Sequence, residues 1–147
     1  MTLMQKLFSF EGRLRRRDYW LLGLAMGVVE YILMKILVLA GLGGHADIIT
    51  SSDPTVRAAA AMSALGPMMR VYGIIWILFI WPGLAIAVKR CHDRDKSGWW
   101  LLIGLIPLIG GIWLLIDIGF LDGTPGANKF GPSPKGIGGT DPAAVFI

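Results

Sequence analysis

The sequence predicts an all-α integral membrane protein with three transmembrane helices and a short external interfacial helix. Of its 147 residues, 54% are hydrophobic and only 16% are charged, a balance far from that of soluble domains. The mean hydropathy of +0.62 agrees with this composition. The apolar residues also form three long runs, and each run has a length that suits a membrane segment.

The first run, residues 19–42, predicts a helix that crosses the bilayer, because roughly 20 residues at about 1.5 Å each cover the hydrocarbon layer. The second run, residues 71–88, is short for a span and contains a Pro-Gly pair, which a membrane helix tolerates as a kink. The third run, residues 99–121, has Pro107 and a Gly-Gly pair at its middle. It is either a kinked span or a re-entrant hairpin.

The segment between the first two runs, residues 43–70, predicts a loop that carries a short helix. Asp53 suits an N-cap and Pro54 suits the first helical position, while the Gly66–Pro67 pair should end the helix. This helix either lies at the interface or simply connects the spans. We expect one membrane domain over residues 1–134 and a flexible tail over residues 135–147.

Basic residues predict the orientation. A run at residues 12–17 precedes the first span, and a second basic cluster separates the second and third runs. The second cluster comprises Lys89, Arg90, Arg94 and Lys96. The positive-inside rule places both clusters and the N-terminus in the cytoplasm, with residues 43–70 outside. Three spans would leave the tail outside, whereas a re-entrant third segment would return it to the inner side that Lys129 and Lys135 favour.

Three blocks of sequence carry a resemblance to a family. They are "FSFEGRLRRRDYW" at residues 8–20, "PGLAIAVKRCHDRDKSGWWLLIGLIPLIGGI" at residues 82–112 and "DGTPGANKFGPSP" at residues 122–134. In order and spacing they resemble the small bacterial inner-membrane proteins catalogued as domain of unknown function 805. The matching positions are Gly12, Arg13, Arg16, Tyr19, Trp20, Arg90, His92, Asp93, Ser97, Gly98, Trp99, Trp100, Gly126, Asn128, Gly131 and Pro132.

The resemblance implies a multi-pass protein of the bacterial inner membrane and supplies no reaction. Two departures from the family pattern stand out. Asp95 occupies a position where the family often has glycine, and the loop at residues 43–70 is longer than the family leads us to expect.

A dense polar cluster, "RCHDRDKSGWW", predicts a site for an anionic ligand that the N-terminal basic run completes. Guanidinium groups bind phosphate oxygens, and an imidazole relays protons. The predicted site residues are Arg13, Arg16, Arg90, His92, Asp93 and Arg94. The alternative is an anchor at the membrane surface with internal Asp–Arg pairs.

This cluster predicts no metal, cofactor or catalytic residue. One histidine and one aspartate are too few metal ligands, and His45 should lie across the membrane. Ser97 lacks a recognisable base, and we expect it to cap the third helix. Cys91 is expected to be inert packing.

Three ionisable residues fall inside the predicted spans: Glu30, Lys35 and Asp117. A charge there costs about 2.5 kcal/mol or more unless it is paired or hydrated, so each is a functional candidate. Lys35 and Asp117 reach similar depths on straight helices and could pair, or Lys35 could snorkel outward. Glu30 has no obvious partner in the sequence.

The preferred function is noncatalytic binding of membrane lipid headgroups, or of another anionic partner, at the cytoplasmic face. Gly23 and Gly27 form a small-xxx-small pair that would suit homo-oligomerisation. Nucleic acid is not an expected partner, because the basic residues flank apolar spans. The first alternative is a small transporter or ion-conducting assembly that uses Glu30 and Asp117, and the second is a membrane enzyme acting on a lipid phosphate.

Overall fold

The computed structural model describes residues 1–43 and 50–136, and its regular structure in these ranges is helical apart from a single bridge between Asn128 and Gly131. The elements are α1 (Leu3–Phe8), α2 (Arg16–Gly43), α3 (Pro54–Asp93), a 3-10 helix (Gly98–Leu105), α4 (Ile109–Leu114) and a π-helix (Leu115–Phe120). The all-α fold class is therefore confirmed. Most of the predicted tail, from residue 137 onward, lies outside the described residues.

The helices α2 and α3 contain the two long apolar segments, Arg16–Ala40 and Pro54–Asp93, with mean hydropathies of 2.0 and 2.2. Each is long and apolar enough to cross a membrane, as the runs at residues 19–42 and 71–88 predict. The third apolar segment is shorter, since the structure breaks it into three pieces.

The helix α3 begins where the sequence predicts. The Asp53 carboxylate accepts a hydrogen bond from the Thr55 backbone N–H at 2.8 Å, and a bond from the Thr55 hydroxyl lowers the pKa of Asp53. The predicted helix end at Gly66–Pro67 is wrong, because one helix continues to Asp93. A proline removes a single N–H, whereas ending the helix in an apolar setting would leave several backbone groups without partners.

The third apolar segment doubles back on itself. The 3-10 helix ends at Leu105, the chain turns at Leu108 with a φ of 65°, and α4 returns along the first arm. A side chain on Gly110 would overlap the carbonyl oxygen of Ile103, so glycine permits the close contact of the two arms. We call residues 98–120 the hairpin.

Both ends of the hairpin lie beside the C-terminal end of α3. At its start, a Cβ on Gly98 would come within 3.0 Å of the Val88 side chain. At its end, the carbonyl oxygens of Ile118 and Leu121 accept hydrogen bonds from Arg90. The segment therefore forms a hairpin, as the re-entrant alternative requires, and not a straight helix over residues 99–121. The predicted cap is confirmed, since the Ser97 hydroxyl accepts a bond from the backbone N–H of Trp99.

The chain divides into two compact units. One contains Met1–Gly23 together with the chain from Trp81 onward, and the other contains Leu24–Ile80. The first unit has a small core that includes Leu14, Ala85 and Cys91, and it holds the polar cluster. The second unit holds Glu30 and Lys35.

Candidate functional site

Arg13, Arg90 and Asp93 form a buried charged triad. The Asp93 carboxylate lies between the two guanidinium groups: Oδ1 accepts from Arg13 Nε at 3.0 Å, and Oδ2 accepts from Arg90 Nη1. The three residues are only 4%, 0% and 2% exposed, in chain order. Arg90 and Asp93 are one turn apart on α3. Arg13 comes from residues 1–15, which we call the N-terminal arm, and completes the triad.

The other guanidinium N–H groups of the triad bind backbone. They donate to the carbonyl oxygens of Ile118, Leu121, Thr124 and Gly126. These carbonyls belong to the end of the hairpin and to the chain that follows it. Because both arginines reach the same stretch, the triad fastens the hairpin and the following segment to the end of α3.

The segment after the hairpin packs on the same end of α3. The Thr124 N–H donates to the carbonyl of Asp93 at 2.8 Å, and the Asn128 side chain donates to the carbonyl of His92 at 2.8 Å. The His92 ring stacks on Phe130, with centroids 3.8 Å apart. Its Nδ1 lies 3.2 Å from the Gly12 carbonyl oxygen, and Nδ1 must donate there because a carbonyl oxygen only accepts.

Lys89 is fully buried and holds the N-terminal helix. Its ammonium donates to the carbonyl oxygens of Gln5, Lys6 and Ser9 at 2.5–2.6 Å. These carbonyls belong to the last turn of α1 and to its C-cap residue Ser9, where a cation is favoured. The sequence identifies Lys89 as one of the basic residues of the predicted cytoplasmic loop, but it assigns Lys89 no partner. The one signal was its position directly after an apolar run.

Asp117 is buried beside two cations at the start of the π-helix. Its Oδ1 lies 2.7 Å from Lys96 Nζ and 3.1 Å from Arg94 Nε. Of the two alternatives for Lys35, pairing with Asp117 is not the one observed, because the hairpin returns Asp117 to Lys96 and Arg94 of the basic loop. The Lys35 ammonium lies 5.5 Å from the centroid of the Tyr31 ring.

Glu30 is half-buried on α2. Within residues 1–43 and 50–136, no hydrogen bond or ion pair involves its carboxylate. The structure therefore brings two of the three intramembrane candidates, Glu30 and Lys35, into one unit and places Asp117 in the other.

An exposed charged group surrounds Asp122, just after the hairpin. Its carboxylate lies 3.2 Å from Lys135 Nζ and 3.7 Å from an Arg16 nitrogen. The hydrogen bond from Lys135, followed by the charge of Arg16, lowers the pKa of Asp122. Arg94 donates to the backbone carbonyl of Asp122 at 2.8 Å. Arg16 and Arg94 thus lie at the same end of the unit as the triad, with Arg16 exposed and Arg94 half-buried.

A cavity of about 520 Å³ opens between the N-terminal arm and the segment after the hairpin. Its charged lining residues are Lys6, Arg13, Arg15, Arg17 and Asp18, and its other walls are Met1, Gly12, Leu14, Phe130, Pro132, Ser133 and Pro134. We call it the basic cleft. Four cations and one carboxylate give it a positive balance. Of these cations, only Arg13 is among the predicted site residues; Lys6, Arg15 and Arg17 are not, because only the folded N-terminal segment brings them beside the later segment.

The cations of the basic cleft differ in how they are held. Lys6 is paired with Asp18 at 2.5 Å. Arg15 donates through Nε to the carbonyl oxygen of Pro134, and the side chain of Arg17 is 78% exposed. Arg15 and Arg17 can therefore offer hydrogen-bond donors to an anion in the cleft. No group of three or more potential metal ligands occurs in the described ranges.

The predicted site residues all lie at one end of the first unit, but they divide into two groups. Arg13, Arg90 and Asp93 are bonded to one another and to backbone, whereas Arg16 is exposed and Arg94 is half-buried beside Asp117. His92 lies between them, stacked on Phe130. Anion binding by this set stays a prediction.

Comparison with known proteins agrees with this architecture. The family model described as protein of unknown function (DUF805) matches residues 7–132. The inner membrane protein YhaH of Escherichia coli is 35% identical over 136 residues, which cover 92% of this chain and 94% of YhaH. The inner membrane protein YhaI of the same organism is 30% identical, covering 92% and 93% of the two chains. No solved structure matches the chain. The chain belongs to the DUF805 family, whose relatives YhaH and YhaI are inner membrane proteins.

Proposed function

We propose that this protein is a noncatalytic inner-membrane protein, with its N-terminus in the cytoplasm, whose basic cleft binds the headgroups of anionic lipids. The observation that carries the proposal is the cleft itself. A cavity of about 520 Å³ presents four cations and a single carboxylate, and that carboxylate is already paired with Lys6.

Arg15 and Arg17 are the residues most suited to touch a headgroup. Arg15 uses Nε for a backbone carbonyl, so its η nitrogens remain to meet a phosphate, and Arg17 is mostly exposed. Guanidinium groups bind phosphate oxygens through two parallel hydrogen bonds. Arg13 contributes positive charge to the wall of the cleft, while its N–H groups donate to Asp93 and to the carbonyl of Thr124.

The surroundings of the cleft favour a lipid over a soluble anion. Apolar residues of α1 are exposed beside it, with Leu3 at 61%, Met4 at 66% and Phe8 at 51%. An amphipathic helix of this kind lies at the interface with its apolar side chains among the acyl chains. The hydrogen bonds from Lys89 hold α1 at this position. The apolar side chains of α1 therefore adjoin the cations of the cleft, and a phospholipid presents a matching acyl chain and anionic headgroup.

The test compares two double variants of equal charge. Arg15→Gln with Arg17→Gln removes two arginines that line the cleft, while Arg57→Gln with Arg70→Gln removes two exposed cations from α3. Phosphatidylglycerol is titrated into the detergent-solubilised protein and the bound lipid is measured by native mass spectrometry, with phosphatidylcholine as the reference.

Each basic residue near an anionic surface contributes about 1 kcal/mol, so the cleft variant should bind phosphatidylglycerol roughly thirtyfold more weakly. The α3 variant should stay within about twofold of the parent protein. Equal losses in both variants would show diffuse electrostatic attraction and would overturn the proposal, as would equal binding of phosphatidylcholine.

A further inference from the structure

The second unit carries two opposite charges on one apolar helix. Glu30 and Lys35 both lie on α2, in a segment whose most apolar stretch is not buried inside the structure. Within residues 1–43 and 50–136, neither side chain has an ion-pair partner. Charges in a membrane span are costly unless they are paired or hydrated, so both side chains need partners.

Glu30 and Lys35 cannot readily form an ion pair with each other within one helix. A separation of five residues places them roughly 140° apart around the helix axis, because each residue advances by about 100°. The Lys35 ammonium instead lies over the ring of Tyr31, one turn toward the N-terminus. Side chains on a helix point in this direction, and here it brings the ammonium toward the depth of Glu30.

Oppositely charged residues five positions apart are spaced to form ion pairs between two parallel helices. In a parallel pair, a g residue of one helix meets the e residue of the next heptad on its neighbour, and these positions set orientation and partner choice. With Glu30 at g, Lys35 is at e. In this register, the a and d positions along α2 are Leu24, Gly27, Tyr31, Met34 and Val38.

The part of this a/d face formed by Leu24, Gly27 and Tyr31 is open for contact, while Met34 and Val38 are half-buried. Leu24 is 68% exposed and Tyr31 is 62% exposed, and a Cβ placed on Gly27 would meet nothing within 4 Å. Glycine at a helix interface lets two backbones approach closely in a membrane. The charges on the two flanks of the face are complementary to those of the same face on another copy.

We propose that two copies of this chain associate in parallel through α2, with Glu30 of each copy paired to Lys35 of the other. Two-fold symmetry makes the two ion pairs equivalent. All copies share one topology in the membrane, so the parallel arrangement is the one available to them. The pairing satisfies both charges at once, in a low-dielectric setting that strengthens their attraction.

The first experiment locates the contact by cysteine cross-linking of the full chain in lipid vesicles, in a Cys91→Ser background. Gly27→Cys places a thiol at a d position, and Val29→Cys places one at the same depth on the opposite face. Position 27 should form disulfide-linked dimers at least tenfold faster than position 29. Equal rates would indicate random collisions, and no dimer at position 27 would mean that lipid or another protein covers the face; either result overturns the proposal.

The second experiment tests the ion pairs in the Gly27→Cys reporter. Glu30→Lys alone and Lys35→Glu alone each bring like charges together at both pairs, and each should slow cross-linking about tenfold or more. The double variant with both substitutions should return to within about twofold of the reporter. A mixture of the two single variants should form mixed dimers just as readily.

This design separates failed contact from failed folding. Restoration in the double variant shows that the charges meet across the dimer, because an effect on folding would accumulate with the second substitution. Single variants that cross-link like the reporter, or a double variant that is no better than the singles, would refute the pairing.

Discussion

Replacing Asp93 by Asn should destabilise the first unit severely. The side chain of Asp93 is 4% exposed and divides its two oxygens between guanidinium groups that are 1% and 0% exposed, those of Arg13 and Arg90. An asparagine has one acceptor oxygen and turns an NH₂ group toward the other arginine. Removing one partner from a buried charged pair costs about 3–5 kcal/mol, because the remaining cation stays buried without compensation. We expect a loss of that size in the free energy of unfolding.

The matched control is Asp95→Asn, two residues further along the chain. Asp95 is 47% exposed and its carboxylate lies 3.7 Å from Lys129, so its loss should cost under about 1 kcal/mol. Both variants are unfolded in mixed detergent micelles and followed by tryptophan fluorescence. A loss below about 1 kcal/mol for Asp93→Asn, similar to the control, would refute the structural role of the triad.

Two further substitutions probe the hairpin and the N-terminal helix. Gly110→Ala places a methyl group against a backbone carbonyl and should lower the free energy of unfolding by more than about 1 kcal/mol in the same assay. In the control, Gly111→Ala, the methyl group meets open space and should be tolerated. Equal effects would contradict the close contact of the two arms. Lys89→Met removes three bonds to the end of α1, so the amide protons of that helix should exchange with solvent at least tenfold faster. Unchanged exchange in α1 would show that something else holds it.

The sequence was a good guide to the long helices and to their starts. Apolar runs cannot leave backbone groups unpaired in a membrane, so residues 19–42 and 71–88 had to be helical. The caps at Asp53 and Ser97 followed from local chemistry that needs no tertiary contact. The helix end at Gly66–Pro67 failed because a proline signal is weaker inside a long apolar helix than in water.

The hairpin and the charge partners depended on long-range contacts. Pro107 and the Gly-Gly pair marked a break but did not decide between a kink and a hairpin, and Leu108 adopts a positive φ, which a leucine rarely does. The depth of Asp117 was counted along a straight span, and the reversal invalidated that count. Lys89 and Arg13 find their partners in segments about 80 residues or more away along the chain. Only the folded arrangement identifies those partners.

The most direct test of this account asks whether the hairpin returns the chain to the side on which it entered. In a Cys91→Ser background, single cysteines replace Glu11, Lys129 and Ser52, all exposed, and an impermeant thiol reagent is applied to right-side-out and inverted vesicles. We expect positions 11 and 129 to react from the same side, the inner one, and position 52 to react from the other. Labelling of position 129 from the side opposite to position 11 would contradict it, because the triad and the basic cleft require both segments on one side.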